Sequence, residues 1–129
     1  WTDGRALIAT GSPFSPVRYG EVDHHIAQAN NALIFPGLGL GVATAKASRV
    51  SEGMIAAAAE ALAGLVNAYR PGAALLPSMT ELRMVSAHVA LAVAGQAAAE
   101  GLAREPLRDP IQQIFARMWQ PESPPVEAI

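Results

Sequence analysis

Two adjacent carboxamides, Asn30 and Asn31, stand in front of an uncharged apolar run, Ala32 to Gly41, that carries Pro36 and glycines at 37, 39 and 41. Asn is a preferred helix N-cap, and the apolar residues behind it can start a helix. A helix start gathers unpaired N–H groups and the positive end of the helix dipole, an arrangement that suits an anion. The carboxamides add donors there without adding charge. These residue types therefore permit capture of a small carboxylate or phosphate. The same pattern also serves as an ordinary cap over a buried helix, and caps far outnumber sites. A second candidate is Thr10-Gly11-Ser12-Pro13, which closes the apolar run Ala6-Leu7-Ile8-Ala9. It reads as a buried strand ending in a loop, and in open α/β sheets ligands sit just outside the carboxyl ends of strands. Gly11 and Ser12 are then placed to meet a cofactor edge or substrate; taken alone, they make a Gly-Ser-Pro turn.

Two other constellations are weaker. His24 and His25, with Glu21 and Asp23 close by, suggest a metal. Neighbours on an extended chain point to opposite faces, however, and no third ligand stands at helical spacing. Surface histidines are the simpler reading. Gly37-x-Gly39-x-Gly41 suggests a dinucleotide fingerprint, which requires a Gly or Ala three residues beyond the second Gly, after a strand. Val42 and Thr44 occupy that position, counted from Gly39 and Gly41 respectively. Close helix packing is the better use. Gly39, Ala43 and Ala47 recur every four residues and predict one smooth face. Each helical glycine costs about 1 kcal/mol of propensity, which tight contact must offset.

The chain punctuates itself clearly. Val17 to Ile26 alternates loosely around Gly20 and predicts a short hairpin or an extended arm. Ser51 reads as an N-cap with Glu52 suited to the positive helix end. Met54, Ala58, Leu62, Leu65, Val66 and Tyr69 form the stripe behind it, closed by Pro71-Gly72. Ser78 with Glu81 predicts a capping box, Leu82, Val85, Val89, Val93 and Ala97 the next stripe, and Gly101 its end. Asp109-Pro110 starts a last helix with Ile111, Ile114, Phe115, Met118 and Trp119 on one face. Pro121, Pro124 and Pro125 make residues 121–129 an extended tail. About four helices and one short strand is an odd inventory, because a single strand cannot make a sheet. The expected fold class is α/β: residues 1–129 as the C-terminal fragment of a doubly wound, Rossmann-like domain, mostly helical as cut.

Composition bounds the function. The 129 residues are 51% hydrophobic and 16% charged, against about 25% charged in an average soluble domain. That is one domain's worth of chain with more apolar surface than a small monomer readily hides. Packing against the rest of its own domain, or in a homo-oligomer, is expected. The net charge of −2, with Lys46 the only lysine, offers no concentrated basic face for nucleic acid. The absence of cysteine excludes disulfides, thiolate metal sites and a cysteine nucleophile, and fits a reducing compartment. No signal-peptide pattern opens the chain. The longest uncharged run, Ile26 to Ala45, is interrupted by amides, a proline and glycines, and makes a poor membrane span. A soluble, cytoplasmic protein with neither membrane nor nucleic acid as partner is the expectation. An opening Trp1 in place of Met suggests a fragment.

Asn30-Asn31 followed by Ile34-Phe35-Pro36-Gly37, with Thr10-Gly11-Ser12-Pro13-Phe14 upstream, resembles the C-terminal part of the NAD-binding domain of malic enzymes, the large NAD-type bacterial branch above all. The likeness continues through Gly39-Leu40-Gly41, Met54-Ile55, Leu76-Pro77 and Val85-Ser86, from Trp1 to about Trp119. It departs most in the arm from Val17 to Ile26, where the family tends to have an aromatic residue followed by proline. The resemblance implies oxidation of malate at C2 with NAD or NADP, then decarboxylation of bound oxaloacetate to pyruvate with Mg2+ or Mn2+. That chemistry needs a base, a metal Lewis acid and an acid for the enol. In the family these are a lysine, three carboxylates and a tyrosine, all upstream of this segment. Lys46, Tyr19 and Tyr69 match no catalytic motif, so no catalytic or metal-binding residue is assigned within this chain. The resemblance carries over Asn30 and Asn31 as substrate-binding amides, and Gly11 and Ser12 as a loop near the cofactor. Two alternatives stand beside it: a non-enzymatic helical interaction module whose asparagines are caps, and the end of another NAD-dependent dehydrogenase.

Overall fold

The computed structural model describes residues 2–121. In chain order it holds strands β1 (Ala9–Thr10), β2 (Val17–Tyr19), β3 (Val22–His24) and β4 (Ala27–Gln28), then helices α1 (Phe35–Ala45), α2 (Glu52–Ala63), α3 (Leu82–Ala99) and α4 (Pro110–Arg117). Of the expected tail, residues 122–129 lie outside the described residues. The expectation of a single strand is corrected to four among the described residues. β1 and β4 pair in parallel, Ala9 with Ala27 and Thr10 with Gln28. β2 and β3 form an antiparallel hairpin, turned at Gly20 with φ +63° and held across by Arg18 to Asp23 at 3.3 Å. The hairpin was legible through its glycine. β4 was not, because two residues cannot display a period of two.

Helix α3 is the hub. Its predicted stripe holds: Val85, Val89, Val93 and Ala97 are buried, and Leu82 is half-buried against the same core. Length and a mean hydropathy of 1.2 over Met79–Ala99 would satisfy a membrane span, yet α3 spends its buried residues on α1, α2 and α4. The tightest of these contacts is with α1, and glycine makes it. A Cβ on Gly37 would lie 2.6 Å from Val89 Cβ and 2.8 Å from the Ser86 carbonyl. A Cβ on Gly41 would lie 2.7 Å from both the Ala90 carbonyl and Val93 Cβ. This corrects the expected smooth face. Gly39 and Ala43 are exposed, and a Cβ on Gly39 would meet nothing within 4 Å. Two four-residue series of small residues run along α1, and periodicity alone cannot say which one meets the large valines.

The helix ends follow local chemistry. Ser51 accepts from Met54 N–H at 3.1 Å and Asp109 from Gln112 N–H at 3.1 Å, as their cap positions predict. Met54 and Ala58 bury against α3, but α2 stops at Ala63 instead of running to Pro71. Leu65 is exposed and Tyr69 is 99% exposed, so the second half of that stripe is loop. Gly64 and the Asn67 side chain, which accepts from Tyr69 N–H at 3.1 Å, offer the backbone an alternative to helix there. Ser78 caps a short 3-10 turn, Met79–Glu81, by accepting from Thr80 N–H at 3.2 Å, so the expected capping box is replaced by a tighter start to α3. At the far end Gly101, φ +69°, closes α3 with Leu102 N–H on Ala97 O and Gly101 N–H on Ala98 O, the paired bonds of a left-handed helix stop. α1 ends likewise on Lys46, φ 45°. Its last carbonyl, Ala45 O, accepts from Arg104 and Glu105 N–H, which straps the segment after α3 to the end of α1.

Candidate functional site

Parallel pairing decides what comes together. Because β1 and β4 run the same way, the chain leaves both in the same direction, and the loops that follow are neighbours. Ala27 N–H donates to Ile8 O at 3.0 Å and Ala29 N–H to Thr10 O at 2.8 Å. Just beyond that last bond lie Gly11 and Ser12 on one side and Asn30 and Asn31 on the other. The four residues singled out in sequence thus sit at one place, the carboxyl end of a parallel strand pair, where α/β sheets hold their ligands. Two side chains tie the site together. Thr10 Oγ1 donates to Ser12 O at 2.8 Å, and Gln28 Nε2 donates to Gly11 O at 3.2 Å. Gln28 carries no chemical signal in the sequence, because a β4 too short to recognise hides which residue it faces.

Asn30 is both a cap and a candidate donor. Its Oδ1 accepts from Ala32 N–H at 2.9 Å and starts the 3-10 turn Asn31–Leu33, which leads through Ile34 into α1. The cap uses the oxygen alone and leaves the Nδ2 hydrogens for another partner. Asn31 is exposed at the first position of that turn. Neither Asn belongs to the core, so neither is held in place by packing. Gly11 is exposed, with no atom within 4 Å of where a Cβ would be. The site is uncharged at its centre: amides, hydroxyls and backbone groups, which suit an anion better than a divalent cation.

Other candidates lie elsewhere. Lys46 ends α1, roughly 16 Å along the helix axis from its start at 1.5 Å per residue, and its Nζ pairs with Glu105 Oε2 at 2.6 Å. That lysine holds the Glu105 carboxyl below the usual glutamate range, by hydrogen bond and then by charge, with Arg117 adding to it. The Ser51 hydroxyl, then Gln96, holds the Glu100 carboxyl down in the same way beside the start of α2. Neither carboxylate is at the site. Tyr19, His24 and Tyr69 line a groove of about 640 Å³ that follows Thr2 to Ile8, at the entry to β1 and away from the asparagines. His24 sits edge-on to Tyr19 at 6.4 Å between centroids, and the His25 backbone N–H donates to Gly72 O at 2.9 Å. Among the described residues no three His, Cys, Asp or Glu gather as metal ligands.

Known proteins carry similar chains. The family model described as malic enzyme, NAD binding domain, matches residues 1–98. The chain belongs to the malic enzyme NAD-binding domain family. Among its relatives, "NAD-dependent malic enzyme 3" of Bacillus subtilis is 54% identical over 129 residues, all of this chain and 23% of that one. The NAD-dependent malic enzyme of Pseudomonas aeruginosa is 52% identical over 126 residues, and a putative malate oxidoreductase [NAD] of Mycobacterium tuberculosis 46% over 121, each alignment taking in 94% of this chain and 22% of the relative. The crystal structure of malic enzyme from Pyrococcus horikoshii superposes with a TM-score of 0.68 at 30% identity, over 85% of this chain and 23% of that one. The chain therefore spans less than a quarter of the length of the relatives it matches, and its helices and short strands are a piece of a Rossmann-like α/β domain. Gly37 and Gly41 of α1 are accounted for within that fold as helix packing, not as a phosphate cradle.

Proposed function

We propose that this chain is the part of an NAD-dependent malic enzyme that closes the malate and nicotinamide side of the active site. The observation that carries the reading is the convergence of Gly11 and Ser12 with Asn30 and Asn31 at the carboxyl ends of β1 and β4. In this reading the Asn30 and Asn31 amide nitrogens donate to a malate carboxylate and fix the substrate relative to the cofactor. The loop Thr10–Pro13 lies along the cofactor, and Gly11, with open space beside it, admits close approach. NAD held beside Gly11 and Ser12 would supply the acceptor for the hydride at malate C2. The residues here fit that cofactor's edge as neutral donors and a bare backbone. They do not fit Mg2+ or Mn2+, so the metal is assigned to other parts of the full enzyme and no step is routed through it here. The base for the hydroxyl proton and the acid for the enol likewise fall outside this segment.

The test is Asn31→Ala in the full-length enzyme. Asn31 is exposed and outside the core, so the melting temperature should hold. Loss of one hydrogen bond to a charged partner, about 1.5–3 kcal/mol, should lower kcat/KM for malate by roughly 10- to 150-fold. Unchanged malate kinetics would remove Asn31 from the site.

A further inference from the structure

We propose that Gln28 is a positioning residue: its side chain sets the orientation of the Gly11–Ser12 peptide and couples the cofactor loop to the asparagine loop. This rests on the reading of the site given above, and it concerns a residue that does not itself touch substrate. The strand pair that brings the two loops together is only two residues deep on each side. Its ladder ends with Ala29 N–H on Thr10 O, and among the described residues no later backbone hydrogen bond joins the loops. Beyond the ladder the tie is Gln28 Nε2 on Gly11 O, at 3.2 Å and seventeen residues apart in sequence.

Peptide geometry makes that tie directional. The described backbone has no cis peptides, and in a trans peptide the carbonyl and the following N–H point opposite ways. Holding Gly11 O against Gln28 therefore turns the Ser12 N–H to the side facing away from Gln28. Thr10 Oγ1 holds the next carbonyl, Ser12 O, at 2.8 Å, and the residue after it, Pro13, has no N–H. Two successive carbonyls are thus fixed from the two strand ends. Gly11 contributes no side chain to resist rotation, and nothing lies within 4 Å of its Cβ position. Without Gln28, one anchor of a glycine-containing exposed loop would be gone while the fold behind it, built on α3, would be untouched.

Three variants of the full-length enzyme test this. Gln28→Met keeps length and removes the donor; Gln28→Glu keeps shape but sets a carboxylate oxygen against the Gly11 carbonyl; Gln28→Lys returns a donor of similar reach. Small misplacements of a reacting group cost up to about a hundredfold, so Met and Glu should lower kcat/KM for malate by roughly 10- to 100-fold. They should also weaken equilibrium binding of NAD measured without malate, at an unchanged melting temperature, and Lys should restore most of both. A role that is merely structural would move the melting temperature and would not be rescued by Lys; that pattern overturns the proposal. So would Met and Glu variants within twofold of wild type while Asn31→Ala is impaired, a result that leaves the site reading standing. If Asn31→Ala is also silent, the site reading itself fails, and the positioning role with it.

Discussion

Lys46 and Glu105 illustrate what single residues do in this chain. Lys46 takes a left-handed backbone conformation that costs a non-glycine residue about 1–2 kcal/mol, and it does so at the end of α1, where a positive charge is favoured. Its partner Glu105 sits with its carboxyl held below the ordinary glutamate value of 4.5, first by the Lys46 hydrogen bond and charge. The sign follows from that direction. A carboxyl depressed in the folded state adds stability above its unfolded value, and that stability is lost as pH falls through the folded value. The chain should therefore lose thermal stability on acidification below 4.5. Glu105→Gln should lose less over the same range, the difference shrinking in high salt because the pair is partly exposed. A variant whose pH profile superposes on the wild type would show that the pair adds nothing. At this scale the sequence was informative about type and blind to partner. Lys46 could be excluded from any catalytic motif, but nothing in the spacing linked it to Glu105, fifty-nine positions away across a strap that only tertiary structure creates.

Among the elements, α1 carries the sharpest lesson. Its composition, with three glycines in an apolar helix, demanded a close neighbour, and the neighbour exists: Gly37 and Gly41 lie against Val89 and Val93 of α3. The face was mistaken because small residues recur at two phases, and sequence holds no record of which phase meets the bulky valines. The pair Gly39→Ala and Gly41→Ala measures this directly. At Gly39 a methyl enters open space and gains helix propensity, so stability should rise by up to about 1 kcal/mol. At Gly41 the methyl would meet the Ala90 carbonyl, backbone that cannot step aside, and overpacking of about 1–3 kcal/mol should outweigh the propensity gain. Urea midpoints of the two variants moving in opposite directions would confirm the contact; both rising would contradict it. Caps and stops were the most legible elements, because Ser51, Asp109 and Gly101 act through bonds within a few residues. The end of α2 was not. Its apolar stripe continues past Gly64, and period alone hides the loop that starts there.

At the scale of the molecule, the chain is a part whose faces expect company. Leu7 and Ile8 along the approach to β1 are 47% and 44% exposed, and Ile111, Phe115 and Trp119 on and just after α4 are exposed as well. Large open apolar patches usually find partners. The isolated 129-residue chain should therefore self-associate, seen as a mass above 13.4 kDa that rises with concentration in light scattering. It should turn over no malate, since among the described residues no metal-ligand set gathers and Lys46, Tyr19 and Tyr69 lie away from the asparagines. A strictly monomeric species would show that these faces need no cover. The family was legible from Thr10–Phe14 and Asn30–Gly37, and the same runs named the residues of the candidate site, because each run carries its signal locally. What brings them together was not, since it depends on two short strands far apart in sequence. The most direct test of that convergence is Asn30→Asp in the full-length enzyme, with thermal stability and malate kinetics measured together. Asp caps as well as Asn, so the turn should survive and the melting temperature should hold. A carboxylate set against the substrate's own should lower kcat/KM for malate by more than about tenfold, and by more than Asn30→Ala does. An Asn30→Asp enzyme with both its melting temperature and its malate kinetics intact would make Asn30 a helix cap alone and contradict the account.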